Sequence, residues 1–313
     1  MPVDLETDGR DYTVYLELMA DDAVIDQKQQ DIQPFIKEGT IVEDGCGNGA
    51  LLERIAHAYP GSDCHGYEIA ASMLDRLQER EEENISPENV TYSEQDITEE
   101  YEDIQDPDTI IASLICHEIA SYGDGEQELE DYLAQKAGAM EEDGRLIIRD
   151  VIGPATETTW AWFNDRDGRN PDRFVDLDDE EALDQLSTRA RFGQFINDFA
   201  YTDIEAGHPE EAYRAVTKDQ KEVEGRTYHR MDARIAAEYS LTKDYTDNWE
   251  NEMEETFCFW SCEDYQEALE EAGFNVIHAE TYTSDWIAEH RFEDRLAFRD
   301  DLDSPPYFPD TNI

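Results

Sequence analysis

Two carboxylates, Glu43 and Asp44, stand directly ahead of Gly45, Gly47 and Gly49 in the stretch TIVEDGCGNGALL, residues 40–52. An apolar run that breaks into alternating glycines and resumes as an amphipathic stretch reads as a strand, a tight turn and a helix start. There the backbone N–H groups come close to a ligand. The segment GCGNGA also satisfies the dinucleotide spacing G-x-G-x-x-A from Gly45 to Ala50. Charge separates the two readings. A pyrophosphate would be repelled by Glu43 and Asp44, whereas a ligand carrying an ammonium and a sulfonium would be attracted.

Two further acids fall where such a ligand would need them. Glu68 closes the run CHGYE about twenty residues after the turn, at the spacing where a carboxylate accepts both hydroxyls of a ribose. Asp96, in SEQDI, can accept an adenine exocyclic N–H. S-adenosylmethionine carries all of these groups. The ordered set EDGCGNG, Glu68, Asp96 and EEDGRLIIRD resembles the core of class I S-adenosylmethionine-dependent methyltransferases over residues 40–151, about a third of the chain. The resemblance implies that Glu43, Asp44, Gly45, Cys46, Gly47 and Gly49 face the methionine and ribose part. It places Glu68 and Ile69 at the ribose, and Asp96 with Ile97 at the adenine.

The acceptor side is expected after the fourth strand, in LICHEIASY. His117 is a candidate general base because an imidazole titrates near working pH, and Glu118 could orient it or bind a cationic acceptor. Tyr122 and Asp150 are candidates for the acceptor pocket, with a buried ion pair as the alternative for Asp150. The Asn/Asp-Pro-Pro-Tyr motif of methyltransferases acting on amino groups of bases or of glutamine is absent. Cys116 lacks the proline that accompanies a ring-carbon nucleophile. Nine of the eighteen arginines fall within 166–234, and Arg226, Arg230 and Arg234 recur every four residues, stacking on one face if the stretch is helical. Such a face would suit an anionic acceptor, held by Arg226 and Arg230, while surface ion pairing is the plainer account of the same arginines.

These residues need a frame, and the hydrophobic rhythm supplies one. Apolar runs alternate with amphipathic stretches: strand 40–44, helix 49–59, strand 63–68, helix 70–83, strands 89–94 and 109–115, helix 126–140, strand 145–151. This is the pattern of βαβ units, and the expected fold is α/β, a Rossmann-like three-layer sandwich with a mainly parallel sheet. A helical segment precedes it within 1–39, on Tyr15, Leu16, Leu18, Met19, Val24, Ile25, Ile32 and Phe35. The core spans 40–153. A mostly helical cap follows at 154–256, with helices expected around 179–201, 208–217 and 229–240 and aromatics in TTWAWF, RFGQFINDF and TFCFW for its own core. Residues 257–313 complete the chain, with a return helix at 262–272 and FNVIHAETY, 274–282, as strand six. Class I methyltransferases finish with an antiparallel seventh strand, for which 292–299 is the candidate substitute here.

The charge balance is extreme: 79 acids against 24 bases, only six of them lysine, for a formal charge of −55. Hydrophobic runs such as IIASLIC and 11% aromatics oppose a disordered reading. A folded, uniformly acidic chain fits the cytosol of an extreme halophile, where molar salt screens self-repulsion within a few ångströms. The five cysteines form no C-x-x-C, so reduced thiols and no metal site are expected. No run reaches the length of a membrane span, and the acidic start lacks a signal-peptide pattern, which points to the cytoplasm.

The sequence reading is therefore a methyltransferase moving a methyl to an oxygen or nitrogen of a small-molecule or nucleotide-like acceptor. A nucleic-acid partner and the oligomeric state stay open. The alternatives are a cofactor-binding accessory subunit without turnover and, further off, an NAD-dependent dehydrogenase.

Overall fold

The structure is a computed structural model that describes residues 22–83, 85–177, 182–202, 204 and 206–313. The chain divides into two compact units, one of residues 1–150 and 266–277, the other of 151–265 and 278–313. The N-terminal helix is present as α1, Asp22–Ile32, while its expected part at 12–21 lies outside the described residues.

The first unit is built on five parallel strands: β1 (Thr40–Asp44), β2 (Asp63–Glu68), β3 (Val90–Glu94), β4 (Thr109–Ser113) and β5 (Arg145–Arg149). Their order is β3-β2-β1-β4-β5. The connecting helices are α2 (Ala50–Ala58), α3 (Ala71–Glu82), α4 (Cys116–Tyr122) and α5 (Glu126–Ala139). This α/β arrangement follows from the sequence: β1, flanked on both edges, is an unbroken buried run, and α2 turns Leu51, Leu52, Ile55 and Ala56 inward. All five strands point the same way, so their carboxyl ends share one edge. The strand order reverses between β1 and β4, and the crevice beyond that switch point is where open parallel sheets bind ligands.

The second unit holds an antiparallel sheet that periodicity does not announce. Strands β6 (Thr158–Phe163), β7 (Asp219–Val223), β8 (Arg226–Asp232) and β9 (Leu296–Arg299) lie in the order β7-β8-β6-β9. One face carries Ala161, Phe163, Met231, Leu296 and Phe298 into a core shared with Phe192, Phe195 and Phe199 of the segment around α6 (Thr188–Asp198). Phe163 and Phe192 stack at 4.6 Å. The expected helices are there as α6, α7 (Pro209–Val216) and α8 (Ala233–Thr242), but α6 is shorter than the expected 179–201: residues 178–181 lie outside the described residues and 182–187 are not helical. The predicted helix at 229–240 starts only at 233, because residues 226–232 pair with β6 and β7.

Two expectations for the tail are overturned. The return helix α9 (Cys262–Ala272) forms, but 274–282 is irregular apart from a single bridge of Tyr282 to Asn312. The strand at 296–299 pairs antiparallel with β6 instead of extending the parallel sheet. Acidic and β-branched letters spaced for a strand are not enough without a neighbour to pair with. Among the described residues no helix is long and apolar enough to cross a membrane.

Candidate functional site

At the end of β1 the chain enters a turn that only glycine can make at two points. Gly45 and Gly49 adopt φ of +67° and +73°. A Cβ at Gly45 would sit 2.7 Å from Ile115 Cδ1, and one at Gly49 would run into the Tyr92 hydroxyl. The close approach of Gly45 to Ile115 brings the loop after β1 beside the loop after β4, the two sides of the switch point. Cys46 N–H donates to the Tyr67 carbonyl at 2.9 Å, and burial pushes its thiol well above its ordinary value.

The two carboxylates ahead of the turn point to opposite fates. Glu43 is 4% exposed, and burial pushes it from 4.5 up to about 8, the nearby Lys28 opposing this only in part. Lys28, also buried, is drawn down to about 8 by burial and by Arg149. Glu43 Oε2 has no hydrogen-bond partner. An unpaired buried carboxylate oxygen is expensive, and a cationic ligand group would satisfy it. Asp44, fully buried, is instead enclosed: it accepts from the Tyr101 and Tyr132 hydroxyls at 2.9 and 2.8 Å and lies 3.3 Å from Lys136 Nζ. The partners of Asp44 are thus all internal to this unit.

Lys136 extends that enclosure. Its ammonium donates to the Ile97 carbonyl at 2.8 Å and sits 3.9 Å from the centre of the Tyr101 ring, which stacks on Tyr67 at 5.1 Å. The loop carrying Asp96 and Ile97 is thereby tied to β1. Asp96 is exposed and its Oδ1 accepts from Thr98 N–H and Oγ, a local turn that shapes this loop. Glu68 clasps the glycine turn: Oε2 accepts from Gly47 N–H at 2.8 Å, and Oε1 from Ile69 and Ala70 N–H at 2.9 Å. A ribose bound to Glu68 would compete with these three backbone donors.

Across the switch point, Asp150 is fully buried at the end of β5. Its Oδ2 accepts from Ile115 N–H at 3.0 Å and Cys116 N–H at 2.7 Å, and its Oδ1 lies 2.6 Å from His117 Nδ1. One carboxylate thus caps α4 and orients the imidazole. The residue before the cap, Leu114, has φ of +59°, a left-handed conformation that costs a leucine about 1–2 kcal/mol. That strain sits where the chain must turn sharply from β4 to present His117. Cys116 is fully buried with its thiol pushed well up by burial, which excludes it as a nucleophile at neutral pH. Glu118 and Tyr122 are half-buried on α4 and one turn apart.

Arg226 and Arg230 belong to the second unit and to a strand, so the helical stacking expected of Arg226, Arg230 and Arg234 is overturned. Arg226 lies over the Trp162 ring at 4.0 Å and 3.8 Å from Asp294, and the exposed Arg230 donates to Thr158 Oγ1 at 3.3 Å. Arg234, in α8, donates to the Phe259 carbonyl.

Tyr101, Tyr132, Lys136, Lys28 and Leu114 did not stand out in the sequence. Lys136 had a readable signal: Leu129, Tyr132, Leu133 and Lys136 follow the i, i+3, i+4, i+7 rhythm of the buried stripe of α5, so a lysine falls on an apolar face. Tyr101 and Leu114 had none.

The glycine turn, its buried acid and the clasping Glu68 all lie within one segment. Residues 42–146 match the family model of a methyltransferase domain. That segment is about a third of the chain. No curated protein matches the sequence. Solved structures similar to this chain include coclaurine N-methyltransferase bound to N-methylheliamine and S-adenosylhomocysteine, at 21% identity over 42% of this chain and 35% of that one, TM-score 0.34. The CcbJ methyltransferase from Streptomyces caelestis is 18% identical over 46% and 57%, TM-score 0.36. An O-methyltransferase assignment from Nostoc punctiforme, described there as putative, is 12% identical over 84% and 53%, TM-score 0.45. The matched part spans less than two thirds of each of these proteins.

Proposed function

We propose that this chain is a class I S-adenosylmethionine-dependent methyltransferase that moves a methyl group to an oxygen or nitrogen of a small-molecule or nucleotide-like acceptor. The observation that carries the reading is Glu43 Oε2, buried without a partner beside a glycine turn at the switch point of a parallel sheet. A cationic cofactor suits that oxygen; the pyrophosphate of a dinucleotide does not. When bound, the cofactor supplies an electrophilic methyl on sulfur. Gly45, Cys46, Gly47 and Gly49 would hold its methionine and ribose part with Glu43. Glu68 and Ile69 would hold the ribose, and Asp96 with Ile97 the adenine.

His117 is the proposed general base. With Asp150 accepting from Nδ1–H, the tautomer is fixed so that the lone pair lies on Nε2, the atom that takes a proton from the acceptor. Methyl transfer needs little beyond positioning and this proton, so two loops meeting at the switch point are sufficient machinery. Glu118, Tyr122 and Asp150 would shape the acceptor side. Arg226 and Arg230, in the second unit, remain proposed to bind an anionic group. The acidic composition supports a high-salt cytoplasmic setting.

The test is calorimetry in molar KCl with S-adenosylmethionine, S-adenosylhomocysteine and NAD, followed by mass spectrometry of an extract for the gain of one methyl. Binding of the first two and not of NAD is expected. No binding of either, or tight binding of NAD, overturns the proposal. A second reading, a cofactor-binding accessory subunit, is favoured by the parallel sheet ending at five strands among the described residues. Binding without methyl incorporation, unchanged by His117→Ala, would select it.

A further inference from the structure

A cavity of about 450 Å³ in the second unit is lined by Arg189, Arg214, Lys218, Gln220 and His229, with Glu210 on its wall. None of these residues stood out as part of a site, and Arg226 and Arg230 do not line it. We propose that this cavity binds the oxyanion of a small metabolite, a phosphate or carboxylate group.

Two orphaned atoms carry the assignment. His229 is 6% exposed and its Nε2 has no hydrogen-bond partner, and neither has the buried Nε of Arg189. Both can donate. Leaving two donors dry costs more than a hydrogen bond returns, and one ligand oxygen atom or group accepting from them removes the penalty.

The surroundings set the ligand's charge. Glu210 holds both arginines in place: Arg189 donates to its two oxygens at 2.9 Å, and Arg214 Nε to one of them at 2.9 Å. Arg189 also lies over the Tyr213 ring at 4.3 Å, and that ring meets His229 edge-on at 4.9 Å. Three cations therefore face Glu210 and Asp219, a local excess of positive charge in a chain of net −55. Burial, with Arg189 and Arg214, drives His229 from 6.5 down to about 4, so the ring enters the site neutral and donates through one nitrogen only. The volume exceeds that of a bare oxyanion, which leaves room for the body of a metabolite.

Proton NMR of the His229 ring in the full-length protein, at constant KCl, tests this with inorganic phosphate in one titration and acetate in another. A saturable shift with either supports the site, and the stronger of the two names the oxyanion. Arg214→Gln and Lys218→Gln alter exposed side chains and should each weaken the response roughly three- to tenfold with the thermal melt unchanged. No saturable shift with either anion, or wild-type affinity in both variants, overturns the proposal. No cofactor is needed, so the outcome is independent of the methyl-transfer reading.

Discussion

Glu43→Gln is expected to make the protein more stable while weakening its cofactor binding. The acid ionises at 4.5 when unfolded and at about 8 in the folded chain, because burial disfavours its charge. For a carboxylate raised on folding, the sign is fixed. Below 4.5 both states are protonated and nothing is lost; as pH rises toward 8 the unfolded state ionises and the folded state does not, so stability falls. The loss is about 1.4 kcal/mol per pH unit, an upper bound of ~5 kcal/mol by pH 8, flat above it. Glutamine keeps the shape and has no such titration. The advantage of the variant should therefore be near zero at pH 4.5, about 2 kcal/mol at pH 6 and largest at pH 8. Denaturant melts at those three pH values and fixed KCl measure it. Lys28 titrates in the same region, so the comparison is repeated in a Lys28→Met background, where the slope should persist. The cofactor test runs alongside: a cation that draws the proton off Glu43 should bind wild type with proton release below pH 8. The variant should bind it at least tenfold more weakly, the loss of one charge-assisted contact. A pH-independent stability difference refutes the burial argument, and undiminished cofactor affinity refutes the assignment of the orphaned oxygen.

Three further outcomes follow from neighbouring residues. Lys136→Met leaves Asp44 buried without its cation and should cost about 3–5 kcal/mol in denaturant melts, and also loosen the Asp96 loop. Asp150→Asn should retain the two backbone bonds to the start of α4 but turn the His117 tautomer over, read as an exchange of the two ring ¹⁵N shifts. If turnover is found, it should fall by orders of magnitude with little change in cofactor affinity. Lowering KCl from molar to about 0.1 M should lower the melting temperature, because the screening length grows to about 10 Å and the −55 charge repels itself; an unchanged melt would remove the high-salt reading.

Strand periodicity and glycine spacing were enough to predict the five parallel strands within a residue or two, three of the four helices between them but not α4, and the glycine turn with Glu43 and Glu68 beside it. These are local: a buried central strand shows an apolar run, a helix shows an apolar stripe, and a left-handed turn favours glycine. Contacts made by pairing between distant segments were not legible. Residues 226–232 carry arginines at helical spacing, yet form a strand because β6 and β7 offer hydrogen-bond partners. Residues 274–282 alternate like a strand, yet gain only one bridge. At the site, the letters Glu43 and Asp44 look interchangeable. Adjacent residues of a strand face opposite sides of its sheet, so tertiary packing gave Asp44 three internal donors from residues 57 to 92 positions away and left Glu43 with an unpaired oxygen.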